Sequence, residues 1–113
     1  MAEAVFARHL ASPDAYVLIG GRGDLVEAVG AMVIRERLNH STPEAWISDL
    51  FVAPDGRRSG LARTLVEACV DEARARGCHR VRLECGVERS DAHAFWTACG
   101  FDRRSFDYQK PLG

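Results

Sequence analysis

The hydrophobic repeat of this chain changes from two to 3.6 residues between residues 53 and 61, and that change dictates the centre of the fold. Residues 46–53 (WISDLFVA) read as an apolar strand that stops at Pro54-Asp55-Gly56. From residue 60 to residue 76 the apolar positions recur at helical spacing instead. Leu61, Leu65, Val66, Cys69, Val70 and Ala73 form one stripe, with Arg63, Glu67, Asp71, Glu72 and Arg74 on the opposite face. Gly77 ends that helix, since glycine accepts the left-handed backbone of a helix stop. Residues 79–85 (HRVRLEC) then alternate, with Val81, Leu83 and Cys85 inward. Strand, short loop, helix and strand make a mixed α/β (α+β) domain the expected class.

The flanking segments extend this unit. Residues 2–11 (AEAVFARHLA) have helical spacing in Val5, Phe6 and Leu10. Residues 15–20 (AYVLIG) and 25–37 (LVEAVGAMVIRER) read as two strands of an antiparallel hairpin, joined through the turn-rich Gly20-Gly21-Arg22-Gly23-Asp24. Gly30, inside the second strand, marks a bulge or a close backbone approach. Residues 39–44 read as a loop. Ser90 or Asp91 caps a short helix over 92–99 that Gly100 ends, and residues 101–110 leave room for a last strand closed by Pro111. A length of 113 residues suits a single domain over 1–113.

Composition narrows the function classes. With 47% hydrophobic and 27% charged residues, disorder and collagen-like repeats are excluded. No apolar run approaches the ~18–20 residues of a membrane helix, and the start lacks the basic region and cleavage site of a signal peptide. No membrane partner is expected. A net charge of −1 argues against a general nucleic-acid binder. The distribution is uneven, however: residues 1–56 carry four Arg against eight acids, and residues 57–113 carry eleven Lys+Arg against eight. A phosphate-bearing partner would prefer the second half. Cys69, Cys78, Cys85 and Cys99 form no C-x-x-C pair, so no metal site is expected, and they read as small buried hydrophobes in a reducing cytoplasm.

The segment richest in chemistry is Leu50-Phe51-Val52-Ala53-Pro54-Asp55-Gly56-Arg57-Arg58-Ser59-Gly60-Leu61-Ala62-Arg63. An apolar strand runs through a Gly/Arg-rich loop directly into a helix. The first turn of a helix offers unpaired N–H groups and partial positive charge, and small residues at Gly60 and Ala62 let a guest come close. This is an anion cradle, suited to a pyrophosphate. It is not a Walker loop, because Gly56 and Gly60 are too close and no Lys follows. The G-x-G-x-x-G of a dinucleotide site is missing, and Ser59 sits one position late for a nucleophile elbow. An ordinary glycine-containing helix cap is the plainer alternative.

Arg57-x-x-Gly60-x-Ala62 after an apolar strand resembles the [Q/R]-x-x-G-x-[G/A] signature of the GNAT superfamily of acyl-CoA-dependent N-acetyltransferases. Asp91-Ala92-His93-Ala94-Phe95-Trp96-Thr97-Ala98-Cys99-Gly100-Phe101 resembles that family's D-A-H-x-F-Y-x-x-x-G-F block, and the similarity spans about residues 46–110. The resemblance implies a GNAT-like fold in which the strands at 46–53 and 79–85 splay apart around the thioester of acetyl-CoA. The backbone of Leu50, Phe51 and Val52 would pair with the pantetheine arm like an added strand. Arg57, Arg58, Ser59, Gly60, Leu61, Ala62 and Arg63 would hold the pyrophosphate, and the short helix with Phe95 and Trp96 would flank the thiol end.

The implied reaction is direct attack of an acceptor amine on the thioester. A lysine-like amine has a pKa near ~10.4, so presenting it neutral at pH 7 costs ~5 kcal/mol, which a base, a water relay or a desolvating pocket must supply. A backbone N–H near Val52 would meet the oxyanion. Relatives often carry Tyr as thiolate acid where this chain has Trp96, whose indole is no practical acid, and Glu where it has Ser48. Asp49, Glu84 and Tyr108 are the available substitutes, although Asp49 also reads as a solvated strand residue. His93, despite matching the block, reads first as a packing or capping residue, and Trp46 and Trp96 as core aromatics. The family's first strand and helix have no counterpart ahead of residue 15, which would leave a sheet edge exposed. A homodimer partner covering that edge, or further chain ahead of it, is expected. Two functions stay open: an N-acetyltransferase, or a degenerate module that holds acyl-CoA without turnover. A purely structural subunit is the third. An acidic acceptor would be served by Arg35, Arg37, Arg103 and Arg104 if these converge.

Overall fold

The computed structural model describes residues 12–22, 25–54 and 60–113, with the backbone alone for Arg22 and Leu25. The helix expected over 2–11, and Arg57, Arg58 and Ser59 of the cradle, lie outside the described residues. The chain divides into two compact units, Met1–Leu83 and Glu84–Gly113.

In the first unit the period-two segments become β1 (Ala15–Arg22), β2 (Leu25–Arg35) and β3 (Glu44–Val52), antiparallel neighbours. The helical stripe becomes α1 (Leu61–Ala75), and the chain returns as β4 (Val81–Arg82), parallel to β3. Strand order is β1-β2-β3-β4. One side of the sheet receives α1. A Cβ added at Gly30 would lie 3.7 Å from Leu50 Cδ1 and 4.0 Å from Leu65 Cδ1, and one at Gly20 would lie 2.8 Å from Leu61 Cδ1. By strand alternation Ala28 and Met32 share that side with Gly30, and Ala45 and Ile47 join them from β3. All four are buried, as are Leu65, Val66, Cys69 and Ala73 of α1. The predicted stripe is thus the core, with each large apolar side chain contributing on the order of 1.5–3 kcal/mol. On the opposite side Ile19, Val29 and Phe51 face one another across three strands, with Ile19 55% and Phe51 63% exposed.

Both helices end through the same device. Gly77 has φ +78°, its N–H donates to Arg74 O, and Cys78 N–H donates to Ala73 O. In the second unit, α2 (Ser90–Ala98) stops where Gly100, at φ +90°, donates to Thr97 O and Phe101 N–H donates to Trp96 O. These paired bonds form the Schellman arrangement, and the Trp96 and Phe101 rings, 5.3 Å apart, add its apolar contact.

Three expectations are corrected. β3 opens at Glu44, which the sequence assigns to a loop. β4 is confined to Val81–Arg82 rather than 79–85, because its pairing with β3 spans these two residues and a strand needs a paired neighbour. The strand expected over 101–110 is absent: residues 101–113 form no strand. Their apolar positions are too few to bury against a neighbour, and Phe106, Tyr108 and Leu112 are 85%, 91% and 93% exposed.

Candidate functional site

The site is set by how β3 is paired on its two edges. Toward β2 the register slips once: Ala31 faces Asp49 and Met32 faces Ile47, which leaves Ser48 as the extra residue of a bulge. Ser48 Oγ donates to Ala31 O at 3.4 Å, and both Ser48 and Asp49 are solvent-exposed. Gly30, where the sequence suggests a bulge or a close approach, pairs regularly with Leu18 and Leu50, and the extra residue lies on β3 instead. Ala53 N–H donates to Glu27 O at 2.7 Å. By the alternation of an antiparallel ladder, Val29 and Phe51 form a hydrogen-bonding pair, and the peptide groups of Leu50 and Val52 point away from β2.

Those groups point toward the edge of β3 on which β4 pairs. The parallel ladder consists of Ala45–Val81 and Trp46–Arg82 and stops there, while β3 continues to Val52. An extended guest can add itself as a further strand along an edge of this kind. The strands expected at 46–53 and 79–85 therefore pair at two positions.

Beyond β3 the chain enters α1 at Gly60, whose φ of +81° is left-handed and whose carbonyl accepts from Thr64 N–H and Thr64 Oγ, each at 3.1 Å. Gly60 supplies no side-chain cap, and the first turn contains no carboxylate. Among the described residues, a Cβ at Gly60 would meet nothing within 4 Å. Leu61 and Ala62 are half-buried, with Leu61 against Gly20, and Arg63 is exposed and ion-paired with Glu67 at 3.4 Å.

In the second unit, Phe95 and Trp96 are half-buried on α2 with ring centroids 5.0 Å apart. His93 Nε2–H donates to the Gly86 carbonyl at 2.8 Å, which ties the preceding loop to the helix and gives His93 a structural role. Glu84 and Tyr108 are solvent-exposed. Asp49 thus belongs to the first unit and the other two catalytic candidates to the second. Sequence reasoning missed Ser48 as the bulged residue, since no residue type marks which position is extra.

Cys69 is buried, and burial pushes its thiol pKa up to about 11; burial also raises that of Cys78. Among the described residues no disulfide forms and no cluster of His, Cys, Asp and Glu is placed to hold a metal ion. No described helix is long and apolar enough to cross a membrane.

The profile of the acetyltransferase (GNAT) family matches residues 2–101. The chain belongs to the GNAT family. It is 35% identical over 74 residues to an uncharacterized N-acetyltransferase, YhdJ, of Bacillus subtilis, a match covering 65% of this chain and 52% of the relative. It is 26% identical over 107 residues to the aminoalkylphosphonate N-acetyltransferase of Salmonella typhimurium, covering 95% of this chain and 70% of that protein. The chain thus spans from about half to 70% of the length of these relatives. Its fold superposes on glucosamine-6-phosphate N-acetyltransferase from Arabidopsis thaliana with a TM-score of 0.81 and 23% identity, over 98% of this chain and 76% of that one.

Proposed function

We propose that this GNAT chain is an acetyl-CoA-dependent N-acetyltransferase that acylates a primary amine of a small molecule or peptide by direct attack on the thioester. The carrying observation is that the β3–β4 ladder ends at Trp46–Arg82 while β3 continues to Val52, which makes the edge beyond Trp46 the position for an added strand. In this reading the pantetheine arm occupies that position along Leu50, Phe51 and Val52. Arg57, Arg58, Ser59, Gly60, Leu61, Ala62 and Arg63 hold the pyrophosphate, with the amides of the first helical turn providing partial positive charge. Phe95 and Trp96 flank the thiol end. The residues 1–113 act as one GNAT-like domain in the cytoplasm, and a homodimer partner covers β1, the terminal strand of the sheet order.

The chemistry asks for a group that takes the amine proton and a donor for the oxyanion. Asp49 is the proposed base: it sits beside the Ser48 bulge, exposed to solvent on the strand that carries the thioester. Glu84 and Tyr108 are the further candidates, Glu84 for a second carboxylate and Tyr108 for protonating the departing thiolate. A backbone N–H near Val52 meets the tetrahedral oxygen. The competing reading, an acyl-CoA-binding module without turnover, draws on Trp96 and Ser48 standing where relatives often carry Tyr and Glu.

Release of coenzyme A thiol from acetyl-CoA, followed across a panel of small amines and amine-bearing peptides, tests the proposal. Thiol release that depends on an added amine is expected. Coenzyme binding with no turnover on any amine would leave the module reading in its place.

A further inference from the structure

Positive charge gathers at the other end of β3, around one carboxylate. Glu44 opens the strand with its side chain fully buried. Arg35 of β2 approaches its oxygens at 2.7 Å, Arg37 at 3.8 Å, Arg80 at 2.9 Å and Arg82 of β4 at 3.9 Å. Nε–H of Arg35 and Nε–H of Arg80 donate one hydrogen bond to each carboxylate oxygen. Arg37 and Arg82 stand beyond hydrogen-bond distance, and their guanidiniums donate to no described residue. Among the described residues Glu44 is the one carboxylate within ion-pair reach of the four arginines. Four guanidiniums against one carboxylate leave three positive charges.

Two arginines suffice to satisfy Glu44, so the other two are surplus to holding the strands together. All four remain 30–40% exposed at the side chain, which keeps donor groups in reach of solvent. His40 completes the rim. Its Nε2 lies 3.5 Å from Arg80 Nη2, and its ring stacks at 4.5 Å on His79, which is fixed by Thr42. Burial, then the charges of His79, Arg80 and Arg37, hold the His40 pKa below its usual value, with Glu44 opposing. The strand from Glu44 to Val52 is about 26 Å long at ~3.3 Å per residue, so this cluster is remote from the start of α1.

We infer that Arg35, Arg37, Arg80 and Arg82, with His40 at the rim, form a binding site for a phosphate group, either free phosphate or the phosphate of a small metabolite. The three surplus charges more than balance a dianion, and planar guanidinium forks bind phosphate oxygens in pairs. Its chemistry suits a small guest, because the cationic cluster is confined to one end of the sheet on a chain of net charge −1. The inference stands apart from the transferase proposal and survives its failure.

The test is a titration of isotope-labelled protein with inorganic phosphate, compared with sodium chloride at matched ionic strength. NMR follows the Arg35 and Arg80 Nε–H signals and the His40 ring. Saturable shifts confined to these groups, with a rise in the His40 pKa on binding, are expected. R37Q/R82Q removes the two arginines that do not hydrogen-bond Glu44. It is expected to weaken phosphate binding at least ~10-fold, from the loss of two charge-assisted contacts, while leaving phosphate-free thermal stability within a few degrees. R37Q alone, expected at several-fold, serves if the double variant fails to fold. Glucose 6-phosphate run alongside separates the sources: tighter binding than phosphate assigns the site to a metabolite, weaker binding to the free ion. Shifts that chloride reproduces, or undiminished phosphate binding by both variants, would overturn the inference.

Discussion

Replacing Glu44 by Gln removes the one negative charge that ties β2, β3 and β4 together at their shared end. The wild-type carboxylate is fully buried and accepts from Arg35 at 2.7 Å and Arg80 at 2.9 Å. Removing one partner of a buried ion pair costs about 3–5 kcal/mol. Here the arginines are 30–40% exposed and rehydrate in part, and the Gln carbonyl still accepts from one of them. The expected loss is therefore about 2–3 kcal/mol, or roughly 8–12 °C in Tm for a domain of this size. Burial pushes the Glu44 pKa up, but the hydrogen bonds and charges of Arg35 and Arg80 outweigh it, so the folded value lies below the ordinary 4.5. The contribution is thus complete above that ordinary value and fades as pH falls through the folded one. Thermal unfolding by circular dichroism should show the full deficit of E44Q at neutral pH, closing as the solution is acidified below 4.5. A deficit under ~2 °C at neutral pH, equivalent to about half a kcal/mol, would refute the claim that this carboxylate clasps the strands. So would one that persists undiminished in acid.

Other outcomes follow from the same structure. Leu65, 4% exposed between α1 and the sheet, should lose about 2–5 kcal/mol on substitution by Ala, read by urea unfolding with an unchanged m-value. Cys69, buried with its thiol pKa near 11, should resist iodoacetamide at neutral pH in the folded protein and react on unfolding; alkylation in the native state would contradict its place in the core. Asp49→Asn should lower turnover by roughly 10²-fold or more while leaving acetyl-CoA affinity within about twofold, as removal of a general base predicts. A matching loss of affinity would instead make Asp49 a structural strand residue.

The parts of the fold that local pattern controls are the parts a reader of the sequence recovers. The switch from period two to 3.6 at residues 53–61 places β3, the loop and α1, and Leu65, Val66, Cys69 and Ala73 are buried where the stripe puts them. Gly77 and Gly100 mark helix stops because only their left-handed backbone closes the last turn. Much of the block from Asp91 to Phe101 has a local explanation of this kind: His93 holds Gly86, and Trp96 meets Phe101 across the stop. What depends on pairing is less legible. The alternation over 79–85 reports which side chains face inward but not how far a neighbour follows, so β4 emerges shorter than its pattern. The alternating Phe106 and Tyr108 suggest a strand, yet pattern alone supplies no adjacent strand to receive it. Arg35 and Arg37 do converge, as an acidic ligand would need, but on Glu44 and beside Arg80 and Arg82, residues far apart in sequence that the sheet register brings together. Arg103 and Arg104 belong to the second unit.

The central claim is that the corner between β3 and the start of α1 grips the diphosphate of a coenzyme. Calorimetric titration of acetyl-CoA into wild type and Gly60→Trp tests it most directly. Among the described residues a Cβ at Gly60 meets nothing within 4 Å, and its φ of +81° costs any L-residue about 1–2 kcal/mol. The variant should therefore remain folded, while the indole fills the space a phosphate must enter. Saturable binding by wild type and a loss of at least ~100-fold in the variant, about 2.7 kcal/mol, is the predicted result. Equal affinity in the two folded proteins, or no heat of binding in either, would contradict it.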